Sequence, residues 1–373
     1  MSGRLVLLML ALPRVTEKAA GMQQRYAEAM RRFPAVLALP LLLAACAPAS
    51  TIRFQDTQAA LKAPEHPAEL RVLMMGDQGK GGDLQAAVAK AMARVCQQQG
   101  CDLGVGLGDN FYPKAPDSAD DAVFQTRFAD LYGPLKFPFL MVAGNHDESW
   151  LTGGDGANPA ALQSELDYAR SHPQWIMPER AYRAAWGDLA QFFVVDTAPL
   201  ASYLPNRDPS YRPGAAFDTA QRAWLKQSLD ASPARWNVVL GHHPLLNNGL
   251  HGSAGTYTYG AVLPWASGAA VKSLYQQAAC GKADLIAAGH DHTLQVFSAQ
   301  NGVCPGTRLL VSGAAGETTG PGLGLPAPSD FQAMNTPGFF WLKFTLNTLT
   351  YQAYTVNAAG VPTLAYQTEN SKP

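Results

Sequence analysis

Short apolar runs alternate with stretches of helical periodicity along most of this chain, and several of the runs stop at a glycine followed by polar residues. Leu70 to Met75 reads as a strand ending at Gly76-Asp77. Asp83 can cap a helix in which Leu84, Val88, Met92 and Val95 recur at helical spacing, closing at Gly100. Leu103 to Leu107 is a second strand and delivers Gly108-Asp109-Asn110-Phe111-Tyr112. A helix over Ser118 to Tyr132 and a strand over Phe139 to Ala143 follow, the strand leading to Gly144-Asn145-His146-Asp147. The second half repeats the logic. Phe192 to Val195 is a buried strand, and Phe217-Asp218 opens a helix carrying Ala223, Trp224, Leu225 and Leu229. Trp236 to Leu240 leads to Gly241-His242-His243-Pro244, and Leu285 to Ala288 to Gly289-His290-Asp291-His292. Arg308 to Val311, Phe339 to Phe344 and Thr350 to Thr355 supply later strands. The alternation predicts a layered α/β architecture. The polar clusters sit at the C-terminal ends of strands, where open α/β sheets place their sites.

The first 67 residues break this pattern. Arg31 and Arg32 precede the apolar run Val36 to Ala45, which is too short to span a bilayer comfortably and has the form of a secretory signal. Leu43-Ala44-Ala45-Cys46 resembles the lipobox of bacterial lipoproteins. That likeness implies cleavage before Cys46 and lipidation of its thiol, an anchor in the bacterial cell envelope without a transmembrane helix. The alternative is an ordinary export signal in which Cys46 is incidental. Met30 makes the more natural start, so residues 1–29 are expected to be an extension from a start codon assigned too early. Residues 30–46 would be the signal, 47–67 a proline-containing linker, and 68–360 the folded domain.

With 373 residues, 47% of them hydrophobic and 15% charged, the chain can bury a substantial core. The net charge of -1 gives no basic field for nucleic acid. Neither an internal repeat nor a heptad stands out, and the sequence fixes no oligomeric state. Export implies an oxidising compartment, in which Cys96, Cys101, Cys280 and Cys304 are disulfide candidates. Pairing 96 with 101 and 280 with 304 is the simplest of three connectivities.

The strand-end residues carry the chemistry. A pair of metal ions about 3.5–4 Å apart needs a bridging carboxylate, hard oxygen donors and imidazoles. Asp109 is the natural bridge; Asp77 and Asn145 offer further oxygens, and His242, His290 and His292 nitrogens. The phenol of Tyr112 must lose a proton ordinarily held until pH near 10, which a strongly Lewis-acidic ion such as Fe(III) favours. Taken singly, each of these residues could be a helix cap or a satisfied core histidine. His243 is set aside as a solvent-facing or supporting residue, Trp175 and Trp224 as core aromatics, and His172 as a surface residue.

The five segments in this order resemble the calcineurin-like metallophosphoesterases, and within them the purple (tartrate-resistant) acid phosphatases. Trp175 to Pro178, Ala223 to Lys226, Thr293 to Gln295 and Ser312 to Ala314 extend the likeness over roughly residues 68 to 345. The resemblance implies a four-layer αββα sandwich of two mixed sheets flanked by helices. It implies Fe(III) on Asp77, Tyr112 and His292, a shared Asp109, and a divalent iron, zinc or manganese on Asn145, His242 and His290. His146 and His251 match the family's phosphate-binding histidines, either able to protonate the leaving group. The implied reaction is hydrolysis of phosphate monoesters by a metal-bound hydroxide; a phosphodiesterase or nucleotidase on the same core is the nearest alternative, a phosphate-binding surface protein without turnover a remoter one. Two positions depart from the family pattern: Gln78 replaces an aromatic, and His243 follows His242. The stretch Gly252 to Gly268 is also longer than the compact animal enzymes need.

Overall fold

A computed structural model describes residues 54–372. The expected extension over 1–29, the signal segment with Cys46 and the first part of the linker lie outside the described residues. Among the described residues fifteen strands run in chain order. The first five are β1 (Gln58–Ala59), β2 (Glu69–Met75), β3 (Leu103–Gly106), β4 (Phe139–Met141) and β5 (Trp175–Ile176). Then come β6 (Tyr182–Trp186), β7 (Ala190–Val194), β8 (Trp236–Leu240), β9 (Leu285–Ala288) and β10 (Leu294–Phe297). The last five are β11 (Arg308–Ser312), β12 (Phe331–Ala333), β13 (Gly338–Thr345), β14 (Thr348–Val356) and β15 (Pro362–Ser371).

They form two mixed sheets, one ordered β15-β14-β13-β2-β3-β4-β5 and the other β1-β6-β7-β8-β9-β11-β10-β12. The central strands β2 to β5 are parallel, as are β7, β8, β9 and β11. Their apolar runs are continuous because both faces of each sheet are covered. Alternation then assigns each residue a layer. Val238, Leu240, Ala287 and Leu310 point between the sheets and share a core with Val72, Val105 and Leu140. Val239, Ile286, Leu309 and Val311 point outward against Trp224, Leu225, Leu229, Val271 and Leu274. The helix α1 (Gly82–Gln99) covers the other sheet with Val88, Met92 and Val95 and stops where Gly100, at φ 78°, turns the chain. Helix α2 (Ala216–Asp230) covers the second sheet. The sandwich therefore has the expected four layers.

The sheets are tied together by more than apolar contact. Ser312 Oγ donates to the Met74 carbonyl (2.9 Å), Tyr182 OH to Met141 (3.0 Å) and Trp236 Nε1 to Thr345 (2.7 Å), while Phe192 meets Phe344 edge to face.

Three boundaries differ from expectation. Residues 54–67, read as linker, lie on the domain: β1 pairs with β6, Asp56 binds Arg183 and Trp224 Nε1, and Phe54 packs on Trp224 at 5.0 Å. The domain does not stop at 360, because β15 pairs along β14 up to Ser371. The helix placed from Ser118 starts at Ala122, where the Asp121 carboxylate accepts from Val123 N, and passes through a π turn over Gln125–Ala129. Trp175 and Trp224 are core aromatics and His172 is exposed. No helix among the described residues is long and apolar enough to cross a membrane.

The cysteines pair as Cys96–Cys101 and Cys280–Cys304, separated by 5 and 24 positions. Loop-closure entropy assigns the longer loop about 3.5 kcal/mol and the shorter about 2 kcal/mol. Urea denaturation of a Cys280→Ser/Cys304→Ser variant should show the larger loss; a loss smaller than that of the Cys96/Cys101 variant would contradict this ranking.

Candidate metal centre

All seven proposed ligands converge where the C-terminal ends of β2, β3, β4, β8 and β9 meet. The loop after β2 is laced to the loop after β3: Asp77 N donates to Gly108 O, Gly79 N to Asp109 O and Tyr112 N to Gly79 O. Arg127 Nη1 then donates to the carbonyls of both Gly79 (2.7 Å) and Tyr112 (2.6 Å), fixing the phenol beside Asp77. Gly144 allows the loop after β4 to come equally close, since a side chain there would overlap Asp109. Five non-glycine residues among the described ones have positive φ, and three of them are Asp77 (58°), Asp109 (53°) and His290 (67°). Such strain persists only where surroundings enforce it, and it tends to gather at functional sites.

Two groups of donors result. Tyr112 OH lies 3.1 Å from Asp109 Oδ2, 3.2 Å from Asp77 Oδ1 and 3.3 Å from His292 Nε2. Asn145 Oδ1 lies 2.9 Å from His242 Nε2 and 3.0 Å from His290 Nδ1. Asp109 joins the groups, its Oδ1 being 3.4 Å from His242 Nε2. Outer contacts aim these atoms. His242 Nδ1 faces the Leu107 carbonyl at 2.8 Å, which leaves Nε2 for the site, and Asn145 Nδ2 donates to Gly154 O, which turns its oxygen inward.

The titratable groups here are displaced from their ordinary values. Asp77 and Asp109 are buried, and desolvation drives the Asp77 carboxyl above its ordinary range. Burial pushes Asp109 the same way, but the positive charges of His242 and His146 outweigh it and keep it ionised. His242 is raised to about 9: burial opposes its charge, and Asp109 overcomes that. Burial and then the two carboxylates lift Tyr112 well above the usual phenol range. His292 Nδ1 is buried without a hydrogen-bond partner. Converging carboxylates are costly to bury unless a positive charge lies among them. Carboxylate, amide and phenol oxygens with three imidazoles suit iron, zinc or manganese. The residues fit a metal pair.

The two remaining histidines face the same cavity, of about 100 Å³, lined also by Tyr203, Tyr257 and Tyr259. His146 Nδ1 meets the Pro113 carbonyl at 2.8 Å, and its Nε2 is 4.0 Å from Asp109. His251 Nδ1 is 3.4 Å from Asp291 Oδ2, with its ring 4.6 Å from that of His290.

A Calcineurin-like phosphoesterase family model matches residues 70–294, the span that holds every one of these side chains. The chain belongs to this family. Within it, the rat (Rattus norvegicus) tartrate-resistant acid phosphatase type 5 is 28% identical over 282 residues, 72% of this chain and 75% of that protein. Purple acid phosphatase 4 of Arabidopsis thaliana is 27% identical over 306 residues, 79% and 83% of the two chains. Among solved structures, GAP50, the anchor in the inner membrane complex of Plasmodium, superposes with a TM-score of 0.62 at 20% identity, covering 82% of this chain and 90% of that one. That last likeness carries the fold alone.

Several residues of this calcineurin-like phosphoesterase escaped the sequence reading. His243, set aside as solvent-facing or supporting, is buried; Thr197 Oγ1 holds its Nδ1 at 2.9 Å and its ring is 4.3 Å from His290. Only its adjacency to His242 could have pointed to it. Asp147 accepts from the backbone N–H groups of Gly144, Asn110 and Phe111, joining the loops after β3 and β4. Asp155 accepts from the N–H groups of Trp150, Leu151, Thr152 and Ala157, closing the loop whose Gly154 carbonyl orients Asn145. Burial pushes the Asp155 carboxyl up, but these donors outweigh it and hold its pKa below the ordinary range. A depressed pKa means stability present above the unfolded-state pKa, about 3.9, and lost as pH falls through the folded value. Asp155→Asn should therefore lower the melting temperature at pH 5 to 7, with the gap to wild type narrowing as pH falls below the unfolded-state value of about 3.9; a gap that stays constant as the pH is lowered through the acid range would contradict this role.

Proposed function

We propose that the protein is an exported phosphomonoesterase of the purple acid phosphatase type. The observation that carries this reading is the Tyr112 hydroxyl placed within 3.3 Å of Asp77, Asp109 and His292, beside a second set of Asn145, His242 and His290 around one amide oxygen. The first set would hold a ferric ion and the second a divalent iron, zinc or manganese, with Asp109 shared. Bound there, the metal pair supplies charge neutralisation for the phosphoryl oxygens and an activated water as nucleophile.

The chain's own groups do the rest. His146 N donates to Asp109 Oδ1 (2.9 Å), so the histidine that would touch phosphate is registered to the shared carboxylate. With Nδ1 committed to Pro113, its Nε2 remains for a phosphoryl oxygen. His251 is held through its backbone N–H to Asp291 (2.8 Å) and turns Nδ1 to the same carboxylate, leaving Nε2 to give a proton to the departing alcohol. Substituting Asn145 by Ala should lower kcat on an aryl phosphate by at least about 100-fold. Tyr112→Phe should abolish a visible phenolate-to-iron absorption band while the protein stays folded. Full turnover in Asn145→Ala would remove the enzyme assignment at this site, and an iron-free active protein would replace the metal assignment. Comparing an aryl phosphate, its bis-aryl diester and nucleotides separates the monoesterase from its nearest alternatives.

Two disulfides fit an oxidising compartment. We infer an envelope location with the Cys46 thiol lipidated, supported by the Leu43-Ala44-Ala45-Cys46 run alone. Cys46→Ser should move the protein from the membrane pellet to the soluble fraction of the envelope; retention in the pellet would overturn the anchor.

A further inference from the structure

Next to the catalytic cavity lies a second, larger hollow of about 550 Å³, walled by the segments 247–267 and 322–326. The two spaces share Tyr257. Its ring is 6.0 Å from that of His290, its hydroxyl donates to the Pro244 carbonyl (2.8 Å), and the ring packs on Gly268, where a side chain would overlap it. Tyr257 is thus a wall common to both spaces. The chain passes from one space to the other within a residue: His251 lines the cavity, while Leu250 and Gly252 line the hollow.

The hollow is built in advance of any ligand. Asn248 Nδ2 donates to the Ala327 carbonyl and its Oδ1 accepts from Ala327 N, while Gly322 N donates to Asn248 O and Gly249 bridges to Pro321. Asn247 Nδ2 donates to Asp291, the carboxylate that holds His251. The lining contains no lysine, arginine, aspartate, glutamate or histidine. It does present Leu250, Leu323 and Leu325, which are 41%, 93% and 100% exposed. One water-exposed leucine is ordinary; three on a single concave surface beside a reaction centre mark a recognition surface.

We propose that this hollow is the leaving-group subsite, selecting phosphate monoesters whose alcohol is uncharged and largely apolar. The inference rests on the phosphomonoesterase reading above and deepens it. An alcohol oxygen protonated by His251 departs beside Leu250, so the group attached to it enters the hollow. A second phosphate or a carboxylate on that group would find no cation there. Alkyl and aryl alcohols share the required chemistry.

The test measures kcat/KM of the metal-loaded, full-length protein on ethyl, butyl, hexyl and octyl phosphate, with phenyl and naphthyl phosphate as the aromatic arm. Octyl should exceed ethyl phosphate by at least about 10-fold, since each methylene entering an apolar pocket counts. Naphthyl exceeding phenyl without an alkyl trend would assign the hollow to rings. Replacing the exposed leucines, Leu323→Ser and Leu325→Ser, should collapse the octyl-to-ethyl ratio toward one. Equal kcat/KM across both series, with turnover intact, overturns the subsite and leaves the phosphomonoesterase standing. Loss of turnover on every ester instead removes the hydrolase reading; calorimetry of octyl against ethyl phosphate on the same protein then decides the hollow, and equal affinities overturn it.

Discussion

Two buried carboxylates, Asp77 and Asp109, face one phenol hydroxyl at 3.2 and 3.1 Å, and the organisation of the site follows from making that arrangement tolerable. Like charges so close in a medium of low polarity require a positive counterpart. The surrounding chain provides oriented dipoles toward each: His290 N–H to Asp77 and His146 N–H to Asp109. It provides imidazoles whose outer nitrogens are already committed to carbonyls at His242 and His146. It also accepts three left-handed backbone turns at positions that glycine would occupy more comfortably. The strained turns and converging carboxylates cost stability in a fold without cations. They become intelligible as preparation for cations.

The second ring of contacts explains why the ligand loops hold their shape. Asp147 gathers N–H groups from two loops, and Asn110 Nδ2 reaches Val142 O, Asp147 and Glu165. Asp155 ties a third loop by four N–H groups, and Arg127 clamps two loop carbonyls from an outer helix. The candidate site is therefore carried by backbone geometry as much as by its side chains.

The sequence made some of this readable and concealed the rest for identifiable reasons. The strands β2, β3, β4, β8 and β9 are apolar runs that lead to glycine, so their existence and the residues they deliver were evident. β15 was hidden because most of its side chains are half-exposed or exposed at a sheet edge, and its place is fixed by backbone pairing to β14 rather than by an apolar face. β1 has two residues, too few for any periodicity, and is recruited by Phe54 and Asp56 meeting Trp224. His243 looked peripheral because its burial depends on Thr197, 46 positions away. The start of the helix at Ala122 was obscured by a polar stretch that Asp121 caps late.

The candidate ligands are divided between the sheets: Asp77, Asp109, Tyr112 and Asn145 follow strands of one, and His242, His290 and His292 follow strands of the other. A slip of one sheet along its neighbour by a single residue would move half the constellation by about 3.3 Å, several times the roughly 0.5 Å within which such sites must be held. Alignment of two independent hydrogen-bonded surfaces is thus a precondition for chemistry here. The interdigitated aromatics and the Ser312, Tyr182 and Trp236 ties between the layers act as its alignment pins.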